Sequence, residues 1–338
     1  VTPPDPLMTF IDPVDVSCFG AADGSAVPLV SGGVGGYQFQ WSDGQTDSIA
    51  SMLDVGIYTL SLTDANGCDT TAEVEIVQPD ELFLDLIDVI DVVCNGDVTG
   101  SITVAGSGGN PDYEYSLDGE VYQDSALFEN LAAGDYTILV RDELGCMASV
   151  DATITQPIAL IVDAGQDETV ELGFGTTLTA ISTPLSREVT YAWTPADGLS
   201  CTDCKGPFAS PVNTQTYYVL ATEVGTGCTA LDSVTVFVVK NRPIYVPNAF
   251  SPNGDGINEG FTVYGGPGAR QIQLLRVFNR WGALVYEASN IPLNDETLGW
   301  DGRFKSKALP PDVFAFYAVV EFIDDETVLV EGDITITK

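Results

Sequence analysis

At 338 residues, with 34 Gly and 19 Pro, the chain exceeds one compact β domain and suits three or four small ones. Its 49 Asp and Glu stand against 12 Lys and Arg, and a formal net charge of -37 excludes nucleic acid or an anionic membrane face as a partner, because both would be repelled. Histidine is absent, which excludes Ser-His-Asp and Cys-His catalytic arrangements.

The charge is unevenly spread. Residues 1–157 carry 27 acids and a single base, Arg141, whereas seven of the twelve bases lie beyond residue 243, so the C-terminal part differs in kind. Such acidity accompanies disorder only when hydrophobicity is low, and here aromatic and β-branched residues run throughout. The longest apolar run, Val313 to Ile323, is strand-sized and broken by Glu321. A start at Val1 without a signal peptide reads as a processed chain or a portion of a longer one.

In chain order, the first element is a unit that recurs after about 76 residues. Cys18, Gly20, Gly24 and Ser25 are echoed by Cys94, Gly96, Gly100 and Ser101. Tyr37, Phe39, Asp43 and Gly44 correspond to Tyr113, Tyr115, Asp118 and Gly119. Gly56, Tyr58, Asp64 and Cys68 correspond to Gly134, Tyr136, Asp142 and Cys146, with tyrosine ten residues before cysteine in both. Each copy ends at a proline junction, Gln78-Pro79 and Gln156-Pro157, and Thr2-Pro3 precedes the first; proline cannot donate to a sheet ladder, so these are natural boundaries.

Tyr58, Leu60 and Leu62 alternate with polar neighbours, the period of a strand with one buried face. The Asp-Gly pairs at 43–44 and 118–119 are hairpin signals. Residues 158–243 form a divergent third copy with Tyr191, Trp193 and, again ten apart, Tyr218 and Cys228. Tyr58, Tyr136 and Tyr218 either pin a corner of each unit through their hydroxyls or act as plain core aromatics. The fold class read from this pattern is all-β: tandem Ig-like β-sandwich domains in an extended row.

Seven cysteines fit an oxidising compartment. Cys18 with Cys68 and Cys94 with Cys146 are the expected bridges, each inside one repeat and closing a loop of about 50 residues, which stabilises by roughly 4 kcal/mol on the chain-entropy model. Cys201 and Cys204 are expected to form a structural loop disulfide rather than a redox or zinc pair, which leaves Cys228 unpaired or competing.

These motifs resemble known families. The first two units, on the Cys-x-Gly start, the Gly-x-Tyr-Thr strand, the Asp-x2-Gly-Cys turn and the closing Gln-Pro, resemble the SprB repeats of Bacteroidota gliding-motility surface adhesins. The third resembles the Ig-like or PKD-like modules that stand before a sorting domain. Residues 244–338 resemble the gliding-motility-associated C-terminal domain, the type B sorting signal of type IX secretion. That match rests on Pro247, Asn248, Phe250, Pro252, Asn253, Gly254, Asp255 and Gly256, then Asn279, Arg280, Trp281 and Gly282, then Trp300, Asp301 and Gly302. The chain departs from the family at Pro310-Pro311-Asp312, where a glycine and an aromatic are usual, and Gly332–Lys338 reads as the expected last strand. The implied layout is 1–79 and 80–157 as repeats, 158–243 as the Ig/PKD-like domain and 244–338 as the sorting domain.

Asn253, Asp255, Asn258 and Glu259 cluster around two glycines in the manner of a calcium loop, though at shorter spacing than an EF-hand; the alternative is a tight turn closed by Asx bonds. No other cofactor is expected. Ser48, Thr70, Ser125 and Ser233 each follow aspartate and precede a residue that fits the Asp-[Ser or Thr]-apolar O-glycosylation pattern of the Bacteroidota at least loosely. The bases Arg270, Arg276, Arg280, Arg303, Lys305 and Lys307 give the last domain a mixed surface suited to docking.

Together these readings imply an extracellular, outer-surface adhesin or filament protein without enzymatic activity. The resemblance implies the type IX machinery and a PorP/SprF-like outer-membrane barrel as partners, with self-association into filaments and a surface or glycan ligand as further expectations. The rivals are a sorting tail behind an upstream catalytic domain and a lectin-like module.

Overall fold

A computed structural model describes residues 5–338, so the Thr2-Pro3 junction lies outside the described residues. The chain is all-β and divides into two compact units, one ending at Ile158 and one spanning Ala159–Lys338. Among the described residues no helix is long and apolar enough to cross a membrane.

The first unit repeats one plan twice. Strands β1 (Met8–Val14), β2 (Gly24–Ser31), β3 (Gln38–Trp41), β4 (Ala50–Leu53), β5 (Gly56–Thr63) and β6 (Asp69–Ile76) make two three-stranded antiparallel sheets, β1-β2-β4 and β3-β5-β6. Strands β7 (Phe83–Ile90), β8 (Gly100–Ser107), β9 (Glu114–Ser116), β10 (Leu127–Leu131), β11 (Gly134–Arg141) and β12 (Met147–Ile154) do the same as β7-β8-β10 and β9-β11-β12. Each repeat has its own core, built on Trp41, Leu60, Leu62 and Ile76 in the first and on Ile102, Tyr115, Ile138 and Ile154 in the second. The recurring Gly-Ser is a packing requirement. A Cβ on Gly24 would lie 2.9 Å from Ile76 and 3.0 Å from the Leu53 carbonyl, and one on Gly100 would meet Ile154 and Leu131 at the same distances.

One detail departs from the pattern reading. The Asp43-Gly44 and Asp118-Gly119 turns form, with both glycines at positive φ, and the second is closed by an antiparallel bridge between Tyr115 and Gln123, but the next full strand, β4 or β10, crosses to the other sheet. Tyr58 and Tyr136 do pin a corner, donating to the carbonyls of Asp54 and Ala132 at 3.2 and 2.9 Å.

In the third copy Tyr218 faces solvent, 48% exposed, and the fully buried Tyr217 donates to the Asp197 carbonyl at 2.8 Å instead. The cause is turn length. Asp64 N–H reaches the Cys68 carbonyl four residues on, whereas Glu223 N–H reaches Cys228 five residues on, and one extra residue turns the tenth position to the opposite face.

In the second unit, β13 (Ile161–Asp163), β14 (Glu168–Glu171), β15 (Thr176–Thr177), β16 (Ile181–Thr183), β17 (Val189–Thr194), β18 (Phe208–Ala209), β19 (Gln215–Glu223) and β20 (Thr229–Val239) close over Trp193, Tyr217 and Val236. Its main sheet runs β14-β20-β19-β17, with β14 parallel to β20. Then follow β21 (Ile244–Tyr245), β22 (Ala249–Phe250), β23 (Tyr264–Gly265), β24 (Ala269–Phe278), β25 (Leu284–Ile291), β26 (Arg303–Phe304), β27 (Lys307–Ala308), β28 (Val313–Phe322) and β29 (Thr327–Ile336).

The sheet β22-β29-β28-β24-β25 carries the largest core of the chain. Leu172 belongs to that core, and the side chain of Asp324, almost fully buried, takes ion pairs from Lys240 and Arg242, so the Ig-like part and the C-terminal part are packed together rather than hinged.

The repeats fold against their own charge, since 27 acids and one base share residues 1–157. Salt that shortens the Debye length from about 20 Å to about 4 Å screens that repulsion. Raising NaCl from about 20 mM to about 0.5 M is therefore expected to lift the first thermal transition by about 3–6 °C. Calorimetry of the whole chain checks this, and a flat response would mean that repulsion among the acids does not limit the stability of the repeats.

Candidate functional site

The cysteines define the first site. Cys18 is bonded to Cys146, across 128 residues and from the first repeat to the second, and Cys94 is disulfide-bonded but not to Cys146. The expected Cys18–Cys68 and Cys94–Cys146 bridges are thus corrected, and strand direction gives the reason. The Val16 N–H donates to the Val77 carbonyl and Gly20 N–H to the Gln78 side chain, which puts the Cys18 loop where β6 leaves the repeat. Cys68 sits where β6 begins, and the eight residues between span about 25 Å. The second repeat is built alike: Val92 donates to Thr155 and Gly96 to the Gln156 side chain, at the opposite end of β12 from Cys146.

The Cys18 start loop therefore faces the second repeat, and the Gln78-Pro79 junction holds it there. Cys201 and Cys204 are joined to each other, and Cys228 is disulfide-bonded rather than unpaired. Cys68 is an exposed free thiol.

Each late cysteine rides on a turn organised by an aspartate. Asp142 accepts from the N–H groups of Leu144 and Cys146 on one oxygen and from Asn110 on the other. Burial pushes its carboxyl up, but the bonds from Asn110, Cys146 and Leu144 outweigh this and hold it below the ordinary range. Asp64 is lowered the same way, by the N–H groups of Cys68, Val34 and Asn66. A depressed folded value means that this support is present above the ordinary carboxylate range and lost as pH falls through that folded value.

The sorting-type motif divides into buried and exposed members. Trp300 is fully buried, its ring 5.4 Å from Phe250 and 4.9 Å from Phe314, and its indole N–H donates to the Arg303 carbonyl at 3.0 Å. Phe250 lies on β22, which pairs in parallel with the last long strand: the Asn248 and Phe250 carbonyls accept from Thr335 and Thr337. Gly302, at φ +73°, leaves only 3.0 Å between an added Cβ and the ring of Pro252. Pro247 is half-buried, and Asp301 caps the following turn by accepting from Arg303 N–H.

Trp281 is the opposite case. It stands 84% exposed at the tip of the β24–β25 hairpin, on a turn held by Asn279, whose side-chain oxygen accepts from the N–H groups of Trp281 and Ala283, and by Gly282 at φ +77°. Arg280 beside it pairs with Asp312. The sequence itself marks Asn279-Arg280-Trp281-Gly282 as a hairpin turn between the apolar runs Ile272 to Phe278 and Ala283 to Tyr286, whereas Trp300 carries no such cue. Four of the other bases are engaged as well: Arg270 with Glu321 and Asp325, Arg276 with Glu287 and Tyr317, Arg303 with Asp301, and Lys305 over the Phe304 ring.

The Asn253–Glu259 loop is a self-bonded turn. Asn253 accepts from Asp255 N–H, Asp255 from Ile257 N–H and Glu259 from Gly256 N–H, while Asn258 takes positive φ and its carbonyl accepts from Ser251; Gly254 and Gly256 are exposed and at positive φ. Among the described residues no group of three or more Cys, Asp or Glu is placed to hold a metal ion. Ser48 and Ser125 sit in exposed loops, Ser233 is exposed on β20, and Thr70 is half-buried on β6. A groove of about 810 Å³ is lined by Glu114, Asp124, Arg141 and Asp142; Arg141 is paired with Glu114 and stacked 3.9 Å over Tyr122.

Residues 244–336 match the family described as CHU_C Type IX secretion signal domain, and residues 11–46 and 87–121 each match the SprB repeat. A comparison with curated protein sequences finds no match. Among solved structures, a Ca2+-stabilized adhesin with which an Antarctic bacterium reaches out and binds ice is 12% identical, with coverage of 98% of this chain and 99% of that one and a TM-score of 0.34. A tetra-tandem repeat from the extending region of a large adhesion protein is 12% identical, with 98% and 99% covered and a TM-score of 0.32. Three N-terminal domains of the outer capsid protein Hoc of bacteriophage RB49 are 17% identical, with 69% and 100% covered and a TM-score of 0.30.

Proposed function

We propose, for a chain whose SprB repeats and type IX secretion signal domain make it a secreted cell-surface protein of the SprB adhesin type, that residues 244–338 are held at the outer membrane by a PorP/SprF-like barrel and that the repeats serve as a non-catalytic stalk. The secretion signal domain engages the type IX machinery. The observation that carries the finer reading is Trp281. A large aromatic, presented on a rigid turn with no role in the core, is the side chain most often found at the centre of a protein interface. Arg280 is its neighbour, and Arg276 and Arg270 lie further back along β24 with their carboxylate partners, a mixed surface that the repeats do not offer.

The Asn253–Glu259 turn needs no cation in this reading, because the oxygens of Asn253, Asp255 and Glu259 already accept from backbone N–H groups. The stalk role rests on the packed succession of small cores and on the covalent tie between the first two repeats.

The test is the full chain carrying Trp281→Ala in a type IX-competent host. The variant is expected to unfold within about 0.5 kcal/mol of the parent, as exposed substitutions do. Its cell-surface retention, and its co-purification with an outer-membrane barrel, are expected to fall at least about tenfold. Retention at the parental level would remove the hairpin from the docking surface.

A further inference from the structure

The two repeats present the same face, and only one is occupied. In the second repeat, the Asp142–Cys146 turn receives the start loop of the repeat before it: Cys18 is bonded to Cys146, the Asn110 side chain donates to the Ser17 carbonyl at 3.0 Å, and Cys18 packs against the second core. Cys146 is 9% exposed as a result.

In the first repeat the turn has the same build. Asp64 N–H donates to Cys68 and Gly67 N–H to Asp64, both at 2.9 Å, as Asp142 does to Cys146 and Gly145 to Asp142 at 3.1 and 3.0 Å. The aspartate oxygens are filled equivalently, by Asn66, Cys68 and Val34 N–H in place of Leu144, Cys146 and Asn110. The turn also lies at the same end of its repeat. Gly33 N–H bonds to Asp5 as Gly109 N–H bonds to Asp80, so each receiving face sits beside the segment by which the chain arrives. Yet Cys68 is exposed and free, and Val34 beside it is exposed.

We propose that the Asp64–Cys68 face of the first repeat is a receptor for the Ser-Cys start loop of an SprB-type repeat placed immediately ahead of it on the polypeptide, closed by a disulfide to Cys68. Direction follows from the occupied copy, in which the donor is the preceding repeat and the acceptor the following one. The start cysteines of this chain are spent, because Cys18 and Cys94 are both disulfide-bonded, so the donor is a further repeat and not a second copy. A contact of this kind is head-to-tail and does not close on itself, so it propagates along a row of repeats. This goes beyond anchoring at the outer membrane and does not depend on it.

Closing the bond takes two thiols to one disulfide. Two protons and two electrons leave, and oxidised glutathione accepts them to become two molecules of the reduced form.

The experiment fuses an added copy of residues 5–79, carrying Cys68→Ser, ahead of residue 5 of the full chain, with oxidised glutathione in the refolding buffer. The unextended chain is expected to show one free thiol. The extended chain is expected to show none, with peptide mapping linking the added Cys18 to Cys68. Two free thiols, or a chain dimerised through Cys68, would overturn the proposal. A second extension, made from residues 80–157 with Cys146→Ser, presents Cys94 as the donor; if neither added repeat joins Cys68, the receptor assignment is wrong.

Discussion

Cys146→Ser will cost the repeat pair roughly 5 kcal/mol of unfolding free energy, the chain-entropy value for a closed loop of 128 residues. Cys18→Ser will cost the same, and the double variant no more than either single one, because all three remove one bond. Cys68→Ser will cost less than about 0.5 kcal/mol, since it alters an exposed thiol that bonds to nothing in the fold.

Urea unfolding of the four chains reads this directly. Cutting the tie also separates what it coupled, so a single transition of the first unit should broaden or split as the repeats unfold independently. Equal losses for Cys68→Ser and Cys146→Ser would instead mean that each repeat is bridged within itself. The size of the effect matters because each repeat has a small core and carries uncompensated negative charge, so the two have little stability to spare.

That connectivity was the part of the molecule least legible in the sequence. The period near 76, the alternating strands and the proline junctions stood out because they are local patterns of residue type, and the six-strand plan of both repeats follows them. Cysteine spacing is different. Cys18 with Cys68 and Cys94 with Cys146 recur at nearly equal intervals whether a bond stays in its repeat or steps to the next. The choice is made by strand direction: β6 carries the chain away from Cys68 towards the end where Gln78 holds the Cys18 loop.

The tyrosines teach the same lesson on a smaller scale. Ten residues before cysteine found the corner in two copies and missed it in the third, because one more residue in the Glu223–Cys228 turn put Tyr217 on the inner face. In the C-terminal domain the turn chemistry of Asn279–Gly282 already marks Trp281 as a hairpin residue, whereas the burial of Trp300 between Phe250 and Phe314 follows only from the sheet order.

Trp300→Ala is the second large effect, about 4 kcal/mol against the C-terminal domain, as expected for removing a fully buried tryptophan. The loss is concentrated because the indole does three things at once. It fills the space between Phe250 and Phe314, it donates to the Arg303 carbonyl, and it backs β22, the short strand that pairs with the chain's final strand. Trp300→Phe keeps most of the packing and loses the N–H, so it should fall between, at about 2 kcal/mol.

Export should follow stability for these variants and depart from it for Trp281→Ala, which keeps the core and loses the exposed ring. Thermal unfolding of the purified chains and surface labelling of intact cells separate the two behaviours. Trp300→Ala reaching the surface at the parental level would show that the folded C-terminal core is not what the secretion machinery requires, and the sorting determinant would then lie in the exposed turns alone.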